Sequence, residues 1–252
     1  INQFCFKSDS IKRTNHHLNH AAAAYFGCRK NHHEKHLVLT LDGGGDGICS
    51  SVYIAEDSKL QLLACTPSGN SLGNLYSRVT YFMGMTPHEH EYKLMGLAAY
   101  GKKEYSEKIS KKFSTYLGLD PSNPLKFKSF VQEGTYRIVP RLARDFYRTR
   151  FDNLAAGMQD FAEDILIKWI TSAINITGIK KVVAAGGVFM NVKANKRIAE
   201  IPGLEFFDVF PSCGDETLPF GAVWLHEANL NPKKAKDIKF ESLYLGPNGD
   251  FD

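Results

Sequence analysis

Leu154, Met158, Phe161, Ile165, Trp169 and Ala173 recur at intervals of three and four, the period of a helix that buries one face, and Gly178 can end it. Well before it, HLVLTLDGGGDGICSSVYIAEDSKLQLLACT carries apolar runs rich in Val, Leu and Ile, broken by a glycine cluster and by Glu56-Asp57-Ser58. That pattern predicts three strands of a meander, with turns near Gly44 and Asp57. From Ser71, a suitable N-cap, the character is helical: SLGNLYSRVTYFMGM, then EYKLMGLAAYG, then a lysine-rich amphipathic stretch through Leu117. Residues 118 to 150 hold Pro121, Pro124 and Pro140 without a sustained period, which predicts irregular or short elements. After Gly178 come a strand, KKVVAAGG, a helix from about Asn191 to Glu200, a strand, LEFFDVF, and a helix from about Glu216 to Ala228. Strands alternating with helices predict an α/β layer. Near the start, AAAAYFGC continues a helical pattern opened by the histidines before it.

The 252 residues suffice for one domain or one lobe of a larger protein, and 43% hydrophobic with 23% charged residues is an ordinary globular balance. No apolar run approaches the roughly 18 residues of a membrane span. A net charge of +4, spread along the chain, is too weak to point to nucleic acid. The five cysteines (Cys5, Cys28, Cys49, Cys65, Cys213) form no CxxC pair and sit mostly in apolar surroundings, as buried thiols of a reducing, cytoplasmic protein do. The chain opens on Ile without signal-peptide features and reads as part of a longer protein.

Candidate chemistry lies at the ends of these elements. His16 and His20 are spaced i, i+4, so on a helix both imidazoles leave one face and can reach one cation; a surface histidine cluster explains the spacing equally well. His32, His33 and His36 make HExH where a zinc-protease helix needs HExxH, and read as a solvated turn, as do His88 and His90. LDGGGDG places Asp42 at a strand end before glycines whose N–H groups suit an anion, although the same residues suit a hairpin turn. AAGGVFMN runs a strand through Gly186 and Gly187 into a helix start, with Asn191 in reach of a nucleotide or serving a plain turn. Asp215, in PSCGDETLPFGA, stands where capping alone would explain it. GLAAYGKK is no P-loop, since Lys103 takes the place of the magnesium-holding hydroxyl.

In order, HHLNHAAAA, TLDGGGDG, SLGNLY, EYKLMGLAAYG, AAGGVFMN with NVKAN, and PSCGDETLPFGA resemble the NodU/CmcH/TobZ carbamoyltransferases over nearly the whole chain. The resemblance implies an α/β, actin-like ATPase (ASKHA) fold of the Kae1-like type, mostly its second lobe. On that reading residues 1–35 are a remnant of the first lobe, 36–228 the second lobe, and 229–252 a linker toward a YrdC-like domain. It implies a divalent metal (iron, zinc or manganese, or magnesium with the nucleotide) held by His16, His20 and Asp215, with Asp42 beside it. It also implies ATP bound along Gly43, Gly44, Gly186, Gly187 and Asn191, with Lys93 in a family signature. Asp46 stands where many relatives carry Glu. The implied reaction makes carbamoyl adenylate from carbamoyl phosphate and ATP, then passes the carbamoyl group to a hydroxyl of a small acceptor. His17 is a candidate, by position, for taking the acceptor's proton. Alternatives are a tRNA threonylcarbamoyl or hydrogenase-maturation type of transferase, against which SLGNLY and EYKLMGLAAYG speak, and a nucleotide-binding module without chemistry. In isolation this stretch is expected to be inactive.

Overall fold

A computed structural model of the chain describes residues 11–28, 34–232, 235, 238 and 246. The three apolar runs form the expected meander, β1 (His36–Gly45), β2 (Ile48–Glu56) and β3 (Lys59–Pro67), each antiparallel to the next. The first turn, expected near Gly44, is the two-residue loop Asp46-Gly47, both of whose residues sit at positive φ, 50° and 82°. The second is at Asp57-Ser58. Two further strands, β6 (Lys181–Ala185) and β7 (Phe206–Val209), add in parallel beside β1, giving one mixed sheet in the order β3-β2-β1-β6-β7. The α/β class expected from the sequence is the class observed.

Successive residues of a strand face opposite sides, so β1 divides its side chains between two layers. Thr40 and Asp42 meet α1 (His16–Phe26), whose run of alanines lies wholly buried on β1 and β6 and against α8 (Leu218–Leu230). On the other face Leu37, Leu39 and Leu41 are fully buried, each contributing roughly 1.5–3 kcal/mol. Here α2 (Leu72–Phe82) lies against β1 and touches α6 (Phe151–Thr177), the long helix of the three-and-four repeat, which does end at Gly178.

The connecting elements correct one expectation and bear out another. The lysine-rich helix, α4 (Lys103–Phe113), stops at Phe113, and Leu117 opens a strand. Residues 118–150 hold a hairpin, β4 (Leu117–Asp120) with β5 (Asn123–Ser129), and the short α5 (Val139–Asp145). The hairpin is anchored on α6, where Trp169 Nε1 donates to the Leu125 carbonyl at 2.8 Å and the indole packs at a tilt against the Phe127 ring, 4.9 Å between centroids. EYKLMGL forms α3 (Glu91–Leu97), and α7 (Val192–Ala199) follows β6. His36, expected in a solvated turn, opens β1 wholly buried, its Nδ1 donating to the Glu34 carbonyl at 2.8 Å, and burial lowers its pKa. His32 and His33, like Cys5 and most of 229–252, lie outside the described residues. Among the described residues no helix is long and apolar enough to cross a membrane.

Candidate functional site

The site is built where α1 begins and where β1 and β6 end. Asn15 caps α1, its side chain accepting from the Leu18 N–H at 3.0 Å. Asp46, in the β1–β2 turn, accepts a second free N–H of that first turn, from His16 at 2.7 Å. Asp46 thereby ties the hairpin to the helix that carries the histidines. At the carboxyl end of β1 the Ser71 hydroxyl donates to the Asp42 carbonyl at 3.0 Å while accepting the Asn74 N–H, so the expected N-cap of α2 also moors β1.

These moorings bring four side chains together. His16 Nε2 lies 3.2 Å from Asp42 Oδ2 and 3.4 Å from Asp215 Oδ1; His20 Nε2 lies 3.6 Å and 3.4 Å from the same two oxygens. One ligand atom from each residue lies within 4.8 Å of all the others. Donors about 2.1 Å from a common cation and tetrahedrally arranged stand roughly 3.4 Å apart, so the spacing suits a divalent ion. The residue chemistry agrees. His20 is fully buried, and neither of its ring nitrogens makes a hydrogen bond among the described residues. A buried polar atom without a partner is costly, and a cation would supply one.

The electrostatics point the same way. The hydrogen bond to Asp42 holds the His16 imidazole above its ordinary pKa, although burial opposes it. Burial also works against ionisation of Asp42, but is outweighed by the two imidazoles and the Gly43 N–H, which donates to Oδ1 at 2.8 Å; its pKa falls far below the carboxylate range. Burial, then the neighbouring Asp42 charge, raises the Asp215 pKa. Two carboxylates facing one another favour a positive charge between them.

Two cavities open from this cluster. One, about 350 Å³, runs over Gly43, Leu72, Tyr76, Met95, Gly187, Val188 and Asn191; the other, about 410 Å³, runs along the glycine loop 43–47 with Ser68, Asn74 and Tyr136. Asp42, Gly43, His88 and Asp215 line both. The profile of the family described as "Carbamoyltransferase N-terminus" matches residues 5–224. The chain belongs to that carbamoyltransferase family.

Family members similar to it include the nodulation proteins NolNO of Sinorhizobium fredii (28% identical, covering 94% of this chain and 34% of that protein) and NolO of Bradyrhizobium diazoefficiens (27%, 93% and 42%). An uncharacterized protein of Methanocaldococcus jannaschii is 28% identical over 96% of this chain and 41% of its own. The chain thus spans about two fifths of the curated relatives it matches. Among solved structures, full-length HypF in its phosphate- and nucleotide-bound form superposes with a TM-score of 0.49 at 14% identity, covering 89% of this chain and 44% of that one.

The chain distributes its other sequence candidates unevenly. Gly43 and Gly187 line the first cavity, Gly44 the second. Gly186 lies beneath the surface: its N–H donates to the Cys213 carbonyl at 2.7 Å, so it holds the walls together and has no N–H left for an anion. Asn191 lines the cavity and caps α7, accepting from Ala194 N–H. Lys93 is exposed on α3, its ammonium 5.8 Å from the Tyr92 ring, and is not part of either cavity wall; Glu91, Tyr92 and Met95 of the same helix are. Cys49 and Cys213 are buried thiols pushed up to about 12 by desolvation, which removes them from nucleophilic chemistry.

His17 has a setting other than the one expected. One residue on from His16, it turns to the sheet and is fully buried. Its Nε2 donates to the Ile48 carbonyl at 3.1 Å and its Nδ1 accepts from the Thr40 hydroxyl at 2.8 Å, leaving no nitrogen for an acceptor's proton. Burial lowers its pKa from 6.5 to about 4. Between those values the unfolded chain binds the proton and the folded chain does not, so stability falls as pH drops through the window. The His17 contribution to that fall is about 3 kcal/mol. Urea unfolding of metal-free protein near pH 7 and near pH 4 checks this, with His17→Gln expected to lose that part of the pH dependence. An unchanged slope in the variant would contradict the assignment.

Proposed function

We infer that this chain is the nucleotide- and metal-binding part of an ATP-dependent O-carbamoyltransferase. The whole protein would form carbamoyl adenylate from carbamoyl phosphate and ATP and transfer the carbamoyl group to a hydroxyl of a small acceptor. The observation that carries the reading is the convergence of His16, His20, Asp42 and Asp215 on one point between two cavities, in a chain of the carbamoyltransferase family.

In the transfer step the acceptor's hydroxyl oxygen bonds to the carbamoyl carbon as the bond from that carbon to the phosphate oxygen breaks; AMP leaves with the electron pair, and the hydroxyl proton passes to solvent. His16, His20, Asp42 and Asp215 would hold a divalent cation, which when bound offsets charge on the phosphate and polarises the reacting group. Asp42 is oriented for this by the Gly43 N–H, which occupies Oδ1 and leaves Oδ2 to the cluster. Gly43 and Gly187 let a nucleotide approach the backbone closely. His17 acts by position: its bonds to Ile48 and Thr40 fix the rotation of α1, and so the direction in which His16 and His20 point.

The test is elemental analysis of the purified protein together with calorimetric titration of AMP and ATP. About one transition-metal ion per chain, removable by chelator, and saturable adenine-nucleotide binding are expected. Absence of both would overturn the reading.

A further inference from the structure

Behind the wall of the first cavity lies a side-chain network that the metal cluster does not use. Gln159, in the middle of α6, is 1% exposed and makes four hydrogen bonds. Its Oε1 accepts from the Tyr76 hydroxyl at 2.9 Å and from Asn191 Nδ2 at 2.9 Å. Its Nε2 donates to Asn191 Oδ1 at 3.0 Å and to Glu163 Oε1 at 2.7 Å. Both lone pairs and both hydrogens of the amide are thereby engaged. Tyr76 comes from α2 and Asn191 from the start of α7, and both line the cavity.

The polarity of this network is determined from both ends. A backbone N–H can only donate, so the Ala194 N–H, at 3.0 Å, identifies the oxygen of Asn191. A carboxylate can only accept, and Glu163, paired with Arg197 at 3.1 Å, identifies the nitrogen of Gln159. Both constraints give the same orientation of the paired amides. Among the described residues Asn191 is left with one N–H that makes no hydrogen bond, a donor. Tyr76 has given its only hydrogen to Gln159, so its oxygen can only accept.

We propose that Gln159 is a positioning residue that sets the donor and acceptor pattern of the nucleotide cavity, holding Asn191 as a donor and Tyr76 as an acceptor toward the nucleoside part of the ligand. A ribose hydroxyl, or the edge of adenine, offers an acceptor and a donor together; an ionised phosphate oxygen cannot donate to Tyr76. Leu72, Met95 and Val188 in the same wall suit a nucleoside, while the glycine loop and the metal cluster suit phosphate. This inference rests on the reading of the cavity as a nucleotide site.

The experiment is calorimetric titration with AMP of the unaltered chain, of Asn191→Asp and of Gln159→Met, each with a thermal melt and a manganese titration. Asp caps a helix as well as Asn does, so Asn191→Asp keeps the cap and removes the donor. It is expected to bind AMP at least about tenfold more weakly with manganese affinity little changed, even though the lost bond to Gln159 Oε1 lowers its melting temperature, a split that a purely structural role would not produce. Gln159→Met is expected to weaken AMP about tenfold as well, by freeing both wall residues to reorient. Undiminished AMP affinity in Asn191→Asp would overturn the proposal even if Gln159→Met failed to fold, and so would undiminished affinity in a folded Gln159→Met. No binding of AMP by the unaltered chain would overturn the nucleotide reading and this inference with it.

Discussion

Replacing His20 by alanine is expected to weaken divalent-metal binding by about 100-fold or more, since it removes one of four ligands and leaves two carboxylates facing one imidazole. The effect on the metal-free protein should be small by comparison. The substitution opens a void and removes an imidazole that lies 3.6 Å and 3.4 Å from the two carboxylates, which destabilises, but it also deletes two buried ring nitrogens that make no hydrogen bond among the described residues, which stabilises. Thermal melts with and without manganese or zinc separate the two contributions. The unaltered protein is expected to gain stability with metal in proportion to the logarithm of its concentration, and His20→Ala to gain little. An equal upshift in both proteins would remove His20 from the centre and, with it, the physical basis of the site.

The second large effect is expected at Gly186. It sits at φ 108°, and a Cβ placed there would lie 2.3 Å from the Leu41 carbonyl oxygen. Neither the conformation nor the contact can be relieved by a side-chain rotation, because the opposing atoms belong to β1. Gly186→Ala should cost about 3–5 kcal/mol, combining backbone strain with overpacking. The loss should extend to the metal. Leu41 precedes Asp42, and Cys213, whose carbonyl accepts the Gly186 N–H, stands just before Asp215, so separating these segments separates the two carboxylates. Denaturant unfolding and metal titration measure both; a variant with wild-type stability would show that the close contact is not required.

The contrast between His16, His17 and His20 shows how far the sequence reaches. The i, i+4 spacing makes His16 and His20 neighbours on any helix, and the alanine run makes that helix credible. Which way His17 faces depends on where the sheet lies, and the histidine motif says nothing of that. Gln159 stands between Met158 and Phe161 of the clearest amphipathic pattern, and a polar residue inside a core stripe is a signal that could have been read. Its partners could not, because Tyr76 and Asn191 come from other helices. Lys93 is the converse case: a residue in a family signature that the fold leaves on the outer side of α3.

Local order was therefore written in the chain: helix period, strand alternation, the cap at Ser71, and glycine turns arise from residues close in sequence, whose sterics and hydrogen bonds act without reference to distant segments. The α/β class and the pairing of His16 with His20 on one helix face followed from that order, whereas Asp42 and Asp215 were joined to them only by the resemblance to a family. Only tertiary structure decided that β6 lies in parallel beside β1, with β7 beside β6 and the Cys213 carbonyl bonded to Gly186, and so that Asp42 and Asp215 meet across the histidines. Convergence of this kind depends on strand pairing and on the burial of Leu37, Leu39 and Leu41, a sum over many distant contacts that no short motif contains.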